Sequence, residues 1–135
     1  AIIDDYAHHP EEIEATLQAA RELFPKEKIC AVFQPHQYSR TKKFFKEFGP
    51  SFAEADEVII PNIYEARDTE ADKKNLTAKS FVAELKRHHK HVKWIDGLDN
   101  TTEYLKKNAK KFQLILTMGA GDVWKVAKKL VAGGP

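Results

Sequence analysis

At 135 residues the chain has the length of one ordinary domain and is too short for two. Its 42% apolar residues suffice for a core, and its 31% charged residues suit a water-facing surface. With 22 basic against 20 acidic side chains the net charge is +2, too small for its field alone to bind nucleic acid or a membrane. The single cysteine, Cys30, has no partner for an internal disulfide, which fits a reducing compartment. No apolar run approaches the ~20 residues needed to cross a bilayer, and the N-terminus lacks the basic and apolar regions of a signal peptide. The opening Ala1-Ile2-Ile3 has no initiator Met, so the chain is expected to be a fragment of a longer cytoplasmic protein.

Short apolar, β-rich runs alternate with amphipathic stretches. Ala1 to Asp4 reads as a strand, ending in the polar cluster Asp5-Tyr6-Ala7-His8-His9. Pro10 suits the first turn of a helix, and Glu11 and Glu12 are placed well against the positive end of its dipole. Ile13, Leu17, Ala20 and Phe24 recur at helical spacing, and Pro25 ends the helix. Ile29 to Phe33 is a nearly continuous apolar run, as expected of a strand covered on both faces. Gln34 to Ser39 is the loop after it, and Arg40 to Phe48 reads as a helix, followed by Gly49-Pro50 and a Ser51 cap. Glu57 to Ile60 is the next strand, and Pro61 to Asn75 is a polar, aperiodic loop of functional length. Thr77 caps a helix carrying Phe81, Val82 and Leu85. His91 to Ile95 is a strand, Asn100 caps a helix to about Lys110, Leu114 to Met118 is the last strand, and Asp122 to Val131 the last helix.

Strand and helix alternating through one domain, residues 1–135, predict an α/β fold. The expected form is a three-layer, Rossmann-like domain: a mostly parallel sheet of five or six strands with helices on both faces. Such sheets bind ligands beyond the carboxyl ends of their strands, which directs attention to Asp4 to His9, Gln34 to Arg40 and Gly119 to Asp122. The first segment puts two carboxylates, a phenol and two imidazoles at a helix start. There a carboxylate suits ribose hydroxyls, and a histidine adds charge near phosphate. In the second, the Arg40 guanidinium suits bidentate recognition of carboxylate or phosphate. Gly119-Ala120-Gly121 is not a dinucleotide fingerprint, because Trp124 stands where a third glycine is needed; the glycines predict a tight turn near another loop. His88, His89 and His91 among Lys86 to Lys93 read as a solvated helix end rather than a metal site. Lys106, Lys107, Lys110 and Lys111 read as the wet face of a helix whose dry face carries Tyr104, Leu105 and Ala109.

Together the motifs resemble those of the Mur ligases. Asp4-Asp5-Tyr6-Ala7-His8-His9-Pro10 is similar to their D-D-Y-x-H-H-P signature. Phe33-Gln34-Pro35-His36, continuing to Arg40-Thr41, resembles the F-Q-P-H-R-x-x-R-T segment of the alanine-adding branch. Ile63-Tyr64-Glu65-Ala66-Arg67 and Met118-Gly119-Ala120-Gly121-Asp122 fall in matching order. The resemblance implies the last of three domains of an ATP-dependent ligase of peptidoglycan biosynthesis, the central domain carrying the phosphate loop and most of the magnesium contacts. It implies partners ATP, UDP-N-acetylmuramate and L-alanine, joined through an acyl phosphate. By position, Asp5, Tyr6 and His8 are expected at ATP, and His36, Arg40, Tyr64 and Arg67 at the muramoyl and amino-acid side; no catalytic or metal-binding residue is assigned. Gln37 stands where the family usually has Arg, leaving Arg40 as the only guanidinium of that segment. The chain lacks G-x-x-x-x-G-K-[ST], so the isolated domain is expected to be inactive. The competing readings are a sister ligase that attaches murein tripeptide, a stand-alone nucleotide-binding module, and a basic nucleic-acid-binding domain, the last disfavoured by interspersed charge.

Overall fold

A computed structural model describes residues 1–133. It holds one sheet of five strands, β1 Ile2–Asp5, β2 Ile29–Phe33, β3 Glu57–Ile60, β4 Val92–Trp94 and β5 Leu114–Met118. Every pairing is parallel, and the spatial order is β1-β5-β2-β3-β4. Ile29–Phe33 and Leu114–Met118 are buried at every position, because a central parallel strand has protein on both faces. Their side chains divide by parity. Ile29, Ala31 and Phe33 join the core on one face, while Cys30 and Val32 join the core on the other.

The first face is covered by α1 (Pro10–Leu23), the short helices α2 (Tyr38–Lys43) and α3 (Phe45–Phe48), a 3-10 turn at Gly49–Phe52, and α5 (Ala78–Leu85). Ile13, Leu17, Phe48, Phe52 and Phe81 close it, with Phe33 ringed by the last three at centroid distances of 5.4, 5.5 and 6.2 Å. The second face is covered by α6 (Leu98–Asn108) and α7 (Trp124–Ala132), through Leu105, Val126 and Leu130. Chain leaving β1 and β2 therefore crosses the first face, while chain leaving β5 between them crosses the second. That divergence opens a crevice at the carboxyl ends of these strands.

Several boundaries differ from expectation for tertiary reasons. The first strand runs to Asp5 rather than Asp4, because Asp4 and Asp5 pair with Thr117 and Met118, and the Thr117 hydroxyl donates to Asp4 at 2.6 Å. The helix expected over Arg40 to Phe48 begins at Tyr38 and breaks at Phe44, whose ring turns edge-on to His9 at 5.5 Å. Ser51 is not a cap; it lies inside the 3-10 turn and donates its hydroxyl to the Glu47 carbonyl. The loop of Pro61 to Asn75 holds a further short helix, α4 (Glu70–Lys73), capped by Thr69. Thr77 caps α5 as expected. Asn100 does not cap α6, which starts at Leu98 after Gly97, and its amide donates instead to the Asp96 carbonyl. Ala109 lies on the exposed side, and Thr101 and Thr102 take its expected place in the core.

The histidines after α5 are not simply solvated. His89 Nε2 lies 2.7 Å from the Ala55 carbonyl, and its Nδ1 accepts from the His91 N–H at 3.0 Å, so this ring fastens the helix end to the start of β3. At the same end of the sheet, Arg21 donates to the Phe24, Glu27 and Glu54 carbonyls and to Asp56 at 2.9 Å. Asp56 also accepts from the Ile29 N–H. No described helix is long and apolar enough to cross a membrane.

Candidate functional site

The carboxyl ends of β1, β5 and β2 lie side by side, and each sends out one of the segments singled out by sequence. After β1 the chain turns sharply, with the Ala7 N–H donating to Asp5 Oδ1 at 2.8 Å. That bond uses one carboxylate oxygen of Asp5 and projects Tyr6 outward, 70% exposed. His9 then serves as N-cap of α1, and Glu12 reaches back to accept from the His8 and His9 N–H groups. Those two bonds hold the Glu12 carboxyl below its ordinary range. His8 Nδ1 sits 3.0 Å from the Tyr6 carbonyl; a carbonyl only accepts, so Nδ1 carries the hydrogen.

The segment after β2 is clamped to the loop after β3. Pro35 and Gln37 bracket an isolated parallel bridge between His36 and Tyr64, in which Tyr64 N–H donates to the Pro35 carbonyl and Gln37 N–H to the Tyr64 carbonyl. The Gln37 amide donates to the Ala66 carbonyl, and Asp68 accepts from the N–H groups of Tyr38, Ser39 and Ala66. Asp68 thus caps α2 from a distant loop. Burial pushes its carboxyl up, and the three backbone donors outweigh this and hold it below the usual range. Gln37 and Arg67 both have left-handed backbones, at φ 72° and 58°, so strain sits on either side of the clamp.

Gln34, fully buried, ties the end of β2 to the loop after β3 and to the turn after β5. Its amide nitrogen donates to Asn62 and to Asp122 at 2.7 Å, and its oxygen accepts from the Asp122 and Val123 N–H groups. The two glycines let the last turn fit against it. Gly119 has φ 153°, and a Cβ there would lie 2.9 Å from the Gln34 carbonyl oxygen; one on Gly121 would lie 2.5 Å from the Tyr64 ring. The tight turn read from the sequence is thereby explained by close approach to a neighbouring loop.

The result is a continuous row of rings. Tyr6 and His8 meet edge to face at 5.4 Å, His8 and His36 at 6.2 Å, and His36 stacks on Tyr64 at 5.3 Å. Desolvation lowers the pKa of His36, reinforced by the Arg40 guanidinium and by His8. Arg40 opens onto a cleft of about 340 Å³ shared with His9, Gln37, Ser39, Lys43 and Phe44. A roomier cleft of about 480 Å³, beyond the His9–Phe44 pair, is lined by Glu11, Glu12 and Glu47 and is poorly suited to an anion. The basic side chains Arg40 and Lys43 line the first of these clefts.

The structure thus gathers Asp5, Tyr6, His8, His36, Arg40 and Tyr64 at one end of the sheet. Arg67 is exposed at the outer bend of the clamping loop. Sequence reasoning placed Gln34 and Asp122 within strand-end motifs without giving them a role and passed over Asn62 and Asp68; these four hold the others. One signal was available for Gln34, a polar residue directly following a five-residue buried strand. Among the described residues, no three His, Cys, Asp or Glu side chains converge to hold a metal ion.

The sequence profile described as Mur ligase, glutamate ligase domain matches residues 1–121. A UDP-N-acetylmuramate–L-alanine ligase of Caldanaerobacter subterraneus is 45% identical over 130 residues, which is 96% of this chain and 28% of the relative. The enzyme of that name from Alkaliphilus metalliredigens is also 45% identical, over 131 residues. The chain therefore spans little more than a quarter of such relatives. A solved UDP-N-acetylmuramate–alanine ligase from Thermotoga maritima superposes with a TM-score of 0.76 at 30% identity, covering 98% of this chain and 26% of that one. A murein peptide ligase from Psychrobacter arcticus, at 18% identity and TM-score 0.75, shares the fold. With the profile covering residues 1–121 and relatives 45% identical across nearly its whole length, the chain belongs to the Mur ligase family.

Proposed function

We infer that the chain is the C-terminal domain, residues 1–135, of a cytoplasmic UDP-N-acetylmuramate:L-alanine ligase. The observation that carries this is the convergence of three separately coded segments into one row of rings beside a guanidinium. The names and identities of the relatives support the choice of L-alanine as the amino acid joined. In this reading the domain closes over substrates held by the other domains. The Tyr6 ring is free to lie against a nucleotide base, Asp5 has a carboxylate oxygen left for ribose hydroxyls, and His8 presents Nε2 toward phosphate. These groups fit ATP. Arg40, with His36 and Tyr64 behind it and Arg67 at the rim, faces the muramoyl and amino-acid side.

ATP supplies the phosphoryl group that activates the muramoyl carboxylate as an acyl phosphate, which the alanine amine attacks with loss of phosphate. The residues of this domain bind and orient for that exchange. The family resemblance assigns magnesium mainly to the central domain, and no step is routed through it.

The test is a chimera. The chain alone should release no phosphate from ATP. Joined to the first two domains of the Caldanaerobacter relative, it should support ATP-dependent ligation of L-alanine and not of murein tripeptide. A folded chimera that prefers the tripeptide would move the assignment to the sister ligase, and turnover by the domain alone would overturn the division of labour.

A further inference from the structure

We propose that His36 serves this site as a neutral hydrogen-bond donor, presenting Nε2–H to a carboxylate or acyl oxygen of the substrate, and does not act as the base for the incoming amine. Among the described residues, His36 Nδ1 is the one enclosed side-chain nitrogen or oxygen without a hydrogen-bond partner. Nε2 is left as the ring nitrogen open to solvent. Placing a hydrogen on Nδ1 would bury an N–H with no acceptor, the costlier of the two ways to leave that atom unpaired. The neutral ring therefore keeps its hydrogen on Nε2. Protonating it would create the same orphaned donor and add charge.

Burial, Arg40 and His8 act in the same direction, and together they outweigh the one opposing group, the Asp68 carboxylate. Arg40 approaches from α2, and His8 approaches from the turn before α1 with its centroid 6.2 Å away. Tyr64 offers a stacked ring face rather than an acceptor. The one carboxylate nearby, Asp68, raises the ring's basicity through its charge, but its oxygens accept three backbone N–H groups and none bonds the ring. Burial lowers the ring's basicity further. His8 has the opposite tautomer, its Nδ1–H held by the Tyr6 carbonyl. Two neighbouring imidazoles are thus set to different tasks by their hydrogen bonds.

Only the identity of the accepting oxygen rests on the ligase reading. The protonation state is tested on the 135-residue protein itself, by nitrogen-15 resonances of the His36 ring between about pH 6 and 8. The expected result is a hydrogen on Nε2 and a bare Nδ1 throughout. A hydrogen on Nδ1, or an imidazolium near neutrality, overturns the proposal whatever the enzyme does. In the chimeric ligase, His36→Gln should keep kcat/KM within about tenfold, because its amide still donates, while His36→Ala should lose about a hundredfold. Equal, severe losses in both variants would mean a base and overturn the proposal. A chimera without turnover would count against the ligase reading, and the ring nitrogens would still decide the state of His36.

Discussion

Among single residues, Arg40 and Asp5 most sharply separate a functional role from a structural one. None of the ion pairs among the described residues involves Arg40. It sits early in α2, where a positive charge opposes the helix dipole. Arg40→Ala should therefore shift stability by only a few tenths of a kcal/mol. In the chimera that tests the proposed ligase function, the same change should cost at least about 2–3 kcal/mol in kcat/KM. Gln37 provides no substitute, because its amide is committed to the Ala66 carbonyl. Turnover and melting curves of one variant decide it, and near-normal turnover would return Arg40 to the surface. Asp5 is tested through nucleotide binding. Loss of its remaining acceptor should weaken ATP binding by roughly tenfold to a hundredfold, as for a charged hydrogen bond of about 1.5–3 kcal/mol. Titration calorimetry on Asp5→Ala reads this directly, and an unchanged affinity would leave Asp5 only its turn with Ala7.

At the scale of elements, the site is three strand ends locked together, and its weakest point is the turn after β5. Gly119 combines a left-handed φ with a Cβ position 2.9 Å from a backbone oxygen, which cannot swing away as a side chain would. Gly119→Ala should destabilise the domain by about 1–3 kcal/mol. Because the turn carries Asp122 and packs on Gln34, it should also disturb the His36 and Tyr64 resonances. A variant with wild-type stability and spectrum would show that the turn is not held as described. This coupling explains what could be read from the sequence. The strands were legible because Ile29 to Phe33 and Leu114 to Met118 are buried on both faces and so uniformly apolar. The positions of Asp5, His36 and Arg40 were legible because a parallel sheet gathers its strand ends. The bonds that fix them were not: Gln34 reaches Asp122 across 88 residues, and Asp68 reaches Tyr38 across 30. Local pattern also missed the break at Phe44, which answers to a contact with His9 rather than to any helix-breaking residue.

For the whole molecule, the same contacts make stability depend on pH in a defined direction. Asp68 and Asp56 are both held below the ordinary carboxylate range. Burial raises each, and the backbone and, for Asp56, Arg21 donors outweigh it. The unfolded chain then binds protons more readily than the folded one. Their contribution is fully present above about pH 4 and is lost as pH falls through the lowered folded values. His36 has a folded pKa below its unfolded value of about 6.5, because burial and the neighbouring Arg40 guanidinium outweigh the Asp68 carboxylate. Its neutral form is the one the fold accepts, so its contribution is present above about pH 6.5 and is lost as pH falls through the lowered value. Melting temperature should accordingly be flat between about pH 7 and 8, decline shallowly below about 6.5, and fall steeply below about 4. The two declines have different owners, and a substitution separates them. His36→Gln removes a titrating group that the fold resists charging, so it should flatten the shallow decline and leave the steep one in place. Asp56→Asn, which forfeits the pairing with Arg21, should lower stability at neutral pH while softening the acid limb. Scans of the wild type and both variants, from about pH 3 to 8, give the answer. A His36→Gln profile that overlays the wild type between about pH 7 and 5 would show that the ring is not held neutral by its surroundings, and the site would lose its uncharged donor.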